Sequence, residues 1–285
     1  MEAPQFVLAV DGGGSKTEAA LYTASGQRIG AGRAGPCNLY RDAEAGARSV
    51  QEAWRQCCAA AALDVAHTAG RTVLSAALAG VNAAPGRAQF RAAVKFAQVC
   101  LSSDGYAGVL GAFEGGPGVL VAIGTGTVAC RLDRSGRFEQ RGGWGFPAGD
   151  RGSGAWIGLQ LVGAWLEYRD GARPDEPLWR TPERRIGTER GAILEWLRRA
   201  TPADYAALAP AVIESGSALA QSILDEACQH VVRLAGTLGA DGPLALTGGL
   251  ADALAPRLVI PCTVKPGVVL RGAWLIGAGH AAPEL

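Results

Sequence analysis

Residues 7–17 read Val-Leu-Ala-Val-Asp-Gly-Gly-Gly-Ser-Lys-Thr, an apolar run that breaks into a glycine-rich turn. A shorter copy, Val-Leu-Val-Ala-Ile-Gly-Thr-Gly-Thr, occupies residues 119–127. Each copy leads into another strand-like run and then into a Ser-Gly turn, at residues 25–26 and 135–136. Two strand–turn–strand–turn–strand units predict two related halves that face each other. Two glycine-rich turns opposed across a cleft would suit the phosphates of a nucleotide.

The composition is that of an ordinary globular protein. A chain of 285 residues is long enough for two domains with a core in each, and its 41 glycines fit many tight turns and close approaches of backbone to ligand. The net charge of +1, with acidic and basic residues mixed, argues against a nucleic-acid partner. No apolar stretch reaches the roughly 18–20 residues that span a bilayer, and the first residues do not resemble a signal peptide. We therefore expect no membrane partner.

The seven cysteines are odd in number and show no C-x-x-C spacing. This pattern argues against a disulfide framework or a zinc site. A reducing compartment follows as the simplest interpretation, so we expect a cytoplasmic protein.

Hydrophobic periodicity predicts a mixed sheet covered by helices in the first half, and a second such unit after the break at residues 114–118. We place the domain boundary there, with domains at residues 1–116 and 117–285. The first half has predicted strands at 6–10, 17–23, 27–32, 71–79 and 98–102, and helices at 43–62 and 87–96. The second has strands at 119–123, 128–133, 137–141, 243–246 and 257–260, a loop at 170–182, and helices at 155–168, within 189–238 and at 271–279. The last helix could pack back on the first domain.

The first glycine-rich turn differs from a Walker A loop in two ways. Ser15 separates Gly14 from Lys16, and the residues that follow have a strand pattern instead of a helical one. A hairpin turn whose amides approach a phosphate is the physical alternative. Asp11, at the end of a buried strand, could hold Mg²⁺ directly or through water. The competing interpretation is a plain β-hairpin. The predicted phosphate-binding residues are Gly12, Gly13, Gly14, Ser15, Lys16 and Thr17.

The second turn offers the same amide and hydroxyl chemistry, from Gly124, Thr125, Gly126 and Thr127. A third turn, Gly248-Gly249, follows a buried strand, and its backbone can lie flat against the adenosine of a nucleotide. Taken alone, that third turn is nearly as typical of an ordinary strand-to-helix connection.

These loops, followed in order by Ser103-Asp104 and by Gly-Gly-Trp-Gly-Phe-Pro-Ala-Gly-Asp-Arg-Gly-Ser at residues 142–153, form a set. The set resembles the N-acetylglucosamine kinase and BadF/BcrA-type ATPase family of the actin, hexokinase and Hsp70 superfamily. The resemblance implies an α/β fold of two actin-like (ribonuclease H-like) domains, each a mixed five-stranded sheet with helices, and an active site in the interdomain cleft. It implies ATP and Mg²⁺ as cofactors and an amino sugar as the small-molecule substrate, with N-acetylglucosamine 6-phosphate as the product.

The resemblance also assigns roles. Asp104 matches the family's catalytic aspartate, the general base for the sugar hydroxyl, and a carboxylate at the end of a strand fits that role. Its competing interpretation is a helix cap. Asn38, otherwise a turn residue, matches a sugar-contacting asparagine. The rest of the implied sugar pocket is Thr125, Gly143, Trp144 and Asp150, and Trp144 could instead be a packing anchor.

Several alternatives stay open at this point. The acceptor could be glucosamine or another hexose, and Ala79 stands where related proteins often have Ser, so one polar contact to the sugar could be missing. An iron–sulfur activator ATPase is a further alternative, although no cysteine here lies in a suitable glycine-flanked motif. Families that resemble this one commonly form dimers, so a homodimer is expected.

Overall fold

The computed structural model describes residues 4–82, 84–239 and 242–285, and these residues form two compact units. The first unit comprises the residues up to Gly118 together with Leu132–Phe138 and Gly267–Leu285. The second comprises Val119–Arg131 and Glu139–Pro266. The last part of the chain therefore packs with the first unit.

The first unit is built on a five-stranded sheet in the order β3-β2-β1-β4-β5. Its strands are β1 (Phe6–Gly12), β2 (Thr17–Thr23), β3 (Arg28–Ala34), β4 (Thr72–Leu78) and β5 (Gln98–Ser102). Strand β2 is antiparallel to β1 and β3, whereas β1, β4 and β5 run parallel. Every residue of β4 is buried, because this strand lies inside the sheet and helices cover both faces.

Five helices accompany this sheet: α1 (Ala43–Ala60), α2 (Val65–Ala69), α3 (Ala84–Ala93), α4 (Asp104–Phe113) and α12 (Val268–Gly277). Helix α1 packs on β2 and β3 through buried residues at helical spacing, among them Val50, Trp54 and Cys57. Helices α4 and α12 pack on each other, and α12 also contacts β1 and β4. A Cβ on Gly272 would overlap the carbonyl oxygen of Ala107, so glycine is what allows α4 and α12 to come this close.

The second unit is built on a five-stranded sheet in the order β10-β9-β6-β7-β8. Its strands are β6 (Gly118–Ile123), β7 (Thr127–Leu132), β8 (Phe138–Gly142), β9 (Leu244–Thr247) and β10 (Thr263–Val264). Its helices are α5 (Gly154–Arg169), α6 (Arg180–Ile186), α7 (Arg190–Arg199), α8 (Pro202–Ala206), α9 (Ala209–Glu214), α10 (Ala218–Gly236) and α11 (Ala251–Leu254). The core lies where α5 and α10 pack with the apolar residues of β6. The prediction of two mixed five-stranded sheets with helices is confirmed.

Two local predictions are wrong. The strand expected at residues 257–260 does not form: residues 255–257 are a turn of 3₁₀ helix, and the edge strand is Thr263–Val264 instead, parallel to β9. The loop expected at residues 170–182 contains a 3₁₀ turn, Pro177–Trp179, and the start of α6. This segment is ordered because Trp179 is buried. Its side chain is 1% exposed and stacks on Tyr168 with ring centroids 5.5 Å apart.

Among the described residues, no single helix has both the length and the apolar character to cross a bilayer; by length and composition alone, one bent pair (Pro202–Glu214 with Ala218–Gly236) could do so.

Candidate active site

The candidate catalytic residues lie at one edge of the first sheet. Because β1, β4 and β5 are parallel, their carboxyl ends meet at the same edge, which is where α/β sheets commonly bind ligands. Asp11 stands at the end of β1, Gly80 follows β4, and Asp104 follows β5. The topology therefore brings together two carboxylates that are far apart in the sequence.

The turn between β1 and β2 presents unpaired backbone amides. The N–H of Gly13 donates to the carbonyl of Lys16 at 2.9 Å, which closes the turn. In the part of the chain that the structure describes, the amides of Gly14, Ser15 and Lys16 make no hydrogen bond. A Cβ on Gly14 would meet no protein atom within 4 Å, so the surroundings leave room for a ligand at this point. Free amides around an open space suit phosphate oxygens.

Thr17 has a structural bond of its own. Its side chain is fully buried, and its hydroxyl donates to the carbonyl of Gly35 at 2.8 Å. The hydroxyl therefore holds the residue 35–37 segment against the hairpin, and contact of Thr17 with a phosphate stays a prediction. Lys16 lies at the surface, where its Nζ is 2.6 Å from Oε1 of Glu18.

Asp11 is a carboxylate in unfavourable surroundings. The pKa of Asp11 is raised from 3.8 to about 6, mainly by burial and also by the negative charges of Asp104 and Glu18, while Lys16 opposes the rise. A divalent cation would remove this conflict between like charges. Magnesium usually takes one or two protein carboxylates and completes its shell with water and phosphate oxygens. Asp11 fits that pattern, and no group of three or more His, Cys, Asp or Glu in the described residues could hold a metal ion.

Asp104 is the first residue of α4, and Ser103 is the N-cap, since the Ser103 hydroxyl accepts from the amide of Tyr106 at 3.1 Å. The interpretation of Asp104 as the cap is therefore wrong. Oδ1 of Asp104 accepts from the Gly105 amide at 2.8 Å. Burial raises the pKa of Asp104, and this hydrogen bond counteracts part of the rise. A carboxylate with a raised pKa and solvent access can take a proton from a hydroxyl.

Asn38 lies beside the ends of β1 and β4. It pairs with Ala79 in an isolated parallel bridge, and the neighbouring amide of Cys37 donates to the carbonyl of Gly13 at 2.9 Å. Its side-chain oxygen accepts from the amide of Tyr40 at 3.0 Å, as the turn interpretation expects. Its side-chain NH₂ makes no hydrogen bond to the described residues, so it remains a free donor at this edge of the sheet.

In the second unit, the turn between β6 and β7 is fixed to the start of helix α5 through hydrogen bonds that the carbonyls of the turn accept. The amides of Gly154 and Ala155, at the start of α5, donate to the carbonyls of Gly124 at 2.8 Å and Thr125 at 3.2 Å. As far as the described chain goes, the amides of Thr125 and Gly126 and the exposed hydroxyl of Thr125 have no partner. The hydroxyl of Thr127 is buried and likewise without a partner. Unsatisfied donors in one turn indicate a place for an anionic oxygen.

Asp150 lies against this second turn. A Cβ on Gly126 would be 2.8 Å from Oδ2 of Asp150, and the amide of Thr127 donates to Oδ1 at 3.4 Å. Burial raises the pKa of Asp150, and the amides of Thr127 and Gly145 lower it. Its φ of 56° is in the left-handed region, which few residues other than glycine adopt, and such conformations are common at functional sites.

Gly143 and Trp144, two further predicted sugar-binding residues, precede Asp150 in the same glycine-rich segment. The amide of Gly143 donates to the carbonyl of Thr127 at 3.1 Å. Trp144 is 88% exposed, so the interpretation of this tryptophan as a packing anchor is wrong. An indole exposed to this degree is available to a ligand.

The third turn lies next to the second. Strands β6 and β9 are parallel neighbours, with Ala122 paired to Thr247, so Gly248 follows β9 at the edge where Gly124 follows β6. Gly248 has a φ of 96°, and a Cβ there would be 2.5 Å from the carbonyl oxygen of Ile123. Around Gly249 a Cβ would meet nothing within 4 Å. The predicted phosphate and adenosine turns of the second unit are thus adjacent.

The cysteines do not form a cluster site in the described chain. All seven are free, and six are buried. Burial raises the pKa of Cys37 and of Cys57 to about 12 in each case. The thiol is therefore the favoured form of these two side chains at neutral pH.

Sequence reasoning missed two features of the site. Tyr40 is 81% exposed beside Asn38, and Glu18 adds a third negative charge near Asp11. The sequence shows an aromatic residue two positions after Asn38, but its exposure is seen only in the structure. The charge of Glu18 could have been found from its place on β2, opposite Asp11 in the hairpin.

The chain is similar to known proteins over most of its length. The model of the BadF/BadG/BcrA/BcrD ATPase family matches residues 8–265. The chain is 29% identical over 270 residues to the glucosamine kinase GspK of Vibrio cholerae, covering 92% of this chain and 91% of that protein. It is 25% identical over 182 residues to an N-acetylmuramic acid/N-acetylglucosamine kinase of Clostridium acetobutylicum, covering 58% of this chain and 55% of that protein.

A crystal structure from Chromobacterium violaceum, of a protein proposed to be an N-acetylglucosamine kinase, superimposes with a TM-score of 0.90 at 30% identity. It covers 96% of this chain and 99% of the other. Fold and sequence therefore agree over almost the whole length, and the chain belongs to the BadF/BadG/BcrA/BcrD ATPase family.

Proposed function

We propose that this protein is an ATP-dependent amino-sugar kinase that converts N-acetylglucosamine to N-acetylglucosamine 6-phosphate. The observation that carries the proposal is the pair of carboxylates, Asp11 and Asp104, at one sheet edge beside a turn of free amides. One carboxylate is suited to a metal ion and the other to a hydroxyl proton. Glucosamine, which the Vibrio cholerae relative is named for, is the alternative acceptor.

In the proposed reaction, Asp104 takes the proton of the sugar 6-hydroxyl as the sugar oxygen forms its bond to the γ-phosphorus of ATP. The bond from the γ-phosphorus to the bridging oxygen breaks, and ADP leaves. Such transfers depend mainly on positioning and on neutralising charge. When bound at Asp11, Mg²⁺ would neutralise negative charge on the phosphates.

The free amides of both turns are proposed to bind the phosphates: Gly14, Ser15 and Lys16 from the first turn, and Thr125 and Gly126 from the second. Gly12, Gly13 and Gly124 allow the backbone to approach, and Gly248 and Gly249 are proposed to contact the adenosine. An ATPase-family chain with unpaired amides after its strands supports this assignment.

The sugar is proposed to bind Asn38, Asp104, Thr125, Gly143, Trp144 and Asp150. The free NH₂ of Asn38 can donate to a ring hydroxyl, the carboxylate of Asp150 can accept from another, and the exposed face of Trp144 can pack on the pyranose. We propose a cytoplasmic homodimer: the free cysteines fit a reducing compartment, and the dimer is what the family resemblance leads us to expect. The mass of the protein in solution tests the oligomeric state, since a dimer has twice the mass of one chain.

A coupled ADP-release assay tests the function. Purified protein with Mg·ATP is supplied in turn with N-acetylglucosamine, glucosamine, N-acetylmannosamine and glucose. The proposal expects the highest kcat/KM with N-acetylglucosamine, and a higher value with glucosamine would transfer the assignment to that sugar. No stimulation by any of the four above the sugar-free rate would refute an amino-sugar kinase. Iron in the purified protein would favour the activator alternative.

A further inference from the structure

Residues 282–285 are attached to helix α4, whose first residue is Asp104. Oε2 of Glu284 accepts from the amide of Ser103 at 2.7 Å and from the Ser103 hydroxyl at 2.7 Å. The hydroxyl of Tyr106 donates to the carbonyl of Ala282 at 3.1 Å. These bonds join positions about 180 residues apart in the sequence, so the last residues of the chain complete the start of the catalytic helix.

Helix α8 shows the local version of the same arrangement. There Oδ2 of Asp204 accepts from the amide of Thr201 at 2.7 Å and from the Thr201 hydroxyl at 2.7 Å. This is a capping box, in which the acid stands three residues after the cap. In α4 that position is Tyr106, which cannot supply a carboxylate. Glu284 supplies it instead, from a distant part of the chain.

The consequence for Asp104 follows from the hydrogen bonds of Ser103. Its hydroxyl has one proton, and because that proton goes to Glu284, the oxygen is oriented to accept from the amide of Tyr106 at 3.1 Å. Ser103 is 5% exposed, so water does not readily replace the carboxylate. Immediately before Asp104, the amide of Ser103 is thus bound to Glu284, and its hydroxyl is bound to both Glu284 and the amide of Tyr106.

We propose that Glu284 is a positioning residue for Asp104, acting through the cap of α4. The inference rests on the proposed function, in which Asp104 takes the proton of the acceptor. Positioning matters here because a misplacement of about 1 Å can cost about 100-fold in rate. Negative charge near the N-terminus of a ten-residue helix is also favourable to its stability.

The test compares Glu284→Ala and Glu284→Gln with the wild type in the full chain. Glu284→Ala is expected to lower kcat about 10- to 100-fold because the base moves relative to the acceptor hydroxyl. The KM for Mg·ATP is expected to change by less than about twofold, since nothing in the nucleotide turns is altered. Glu284→Gln keeps an oxygen that accepts both bonds, so it is expected to recover most of kcat. Hydrogen exchange at residues 103–107 is expected to be faster in the alanine variant alone.

Glu52→Ala is the matched control, because Glu52 is a carboxylate of the same unit that accepts side-chain hydrogen bonds on α1. A wild-type kcat in Glu284→Ala, an equal loss in Glu52→Ala, or no recovery in Glu284→Gln would overturn the inference. If the wild type phosphorylates none of the four sugars, the proposed function fails, but the exchange measurement still decides on Glu284. Unchanged exchange at residues 103–107 then overturns its capping role, and faster exchange supports it.

Discussion

The two glycine-rich turns begin from the same sequence pattern but carry different chemistry. The turn after β1 is charged, with Asp11 at its start and Lys16 and Glu18 near its end, and its threonine hydroxyl is bound to Gly35. The turn after β6 has no charge of its own, and the hydroxyl of Thr127 is buried with no partner among the described residues. Within the same residues, both turns have amides that make no hydrogen bond.

We propose that the two turns contribute different chemical groups to the site. Free amides are what both copies retain, as expected if both bind phosphate oxygens. Carboxylates near the first turn are suited to a metal ion and a proton, whereas the second turn receives Asp150 from a separate loop. The following predictions test this proposal, beginning with the largest expected effect.

Asp104→Asn should lower kcat about 10²- to 10⁴-fold, since the amide cannot take the hydroxyl proton. Its effect on ATP affinity should be small. Asp64→Asn is the control, because Asp64 is a carboxylate of the same unit that caps α2. Steady-state kinetics and nucleotide titration measure both effects. Near-normal turnover in Asp104→Asn would remove this residue from the base role.

Asp11→Asn should stabilise the metal-free protein at neutral pH. A carboxyl pKa raised from 3.8 to about 6 makes the ionised form unfavourable in the folded state, so its contribution to stability falls as the pH rises through 6. The full shift corresponds to roughly 3 kcal/mol. Thermal melts without metal should show the gain at pH 7.5 and no difference near pH 4. Equal melting temperatures at pH 7.5 would contradict the crowded-carboxylate interpretation of the first turn.

Thr17→Val and Thr127→Val should have opposite consequences. Loss of the Thr17 hydroxyl leaves the Gly35 carbonyl without its donor and should cost about 1–2 kcal/mol of stability, with an unchanged KM for ATP. Thr127→Val removes an unpaired buried hydroxyl, so stability should be kept or raised. If that hydroxyl binds phosphate, the KM for ATP should rise about tenfold. Melting curves and steady-state kinetics on both variants measure these opposite changes in stability and in the KM for ATP. Equal changes in both quantities would contradict the distinction between the turns.

Trp144→Ala should leave stability within about 0.5 kcal/mol, because an 88% exposed side chain contributes little to the core. The KM for the sugar should rise about fivefold, corresponding to the loss of one aromatic contact. Trp165→Ala is the contrast, since that fully buried tryptophan should cost about 3–5 kcal/mol. A strong loss of stability in Trp144→Ala would show that this indole packs within the protein.

Much of the first unit was predictable because the deciding signals are local. Strands β2 and β5 lie where the apolar pattern places them, Asp11 lies at the end of β1, and Asp104 comes two residues after β5. The edge strand near residue 260 was misplaced because an edge strand depends on which residues pair with β9, a contact that no local pattern reports. The 3₁₀ turn at Pro177–Trp179 was likewise expected to be loop, because the burial of Trp179 is a tertiary contact.

The sequence offers candidate site residues but not the hydrogen bonds between them. The glycine-rich turns are visible in the sequence, and the family resemblance adds Asp104 and Asp150; the role of each stays a prediction. The commitment of Thr17 to Gly35 and the supply of a cap acid by Glu284 depend on distant segments.

By itself, the sequence determined the duplicated architecture, the turns of free amides and the carboxylates available for chemistry. These depend on apolar runs and glycines that act over a few neighbouring residues. The tertiary structure alone decided which hydroxyls are already bound, why the pKa of Asp11 rises, and what holds Asp104 in place. Those properties arise from burial and from hydrogen bonds between remote segments, and neither exists until the chain has folded.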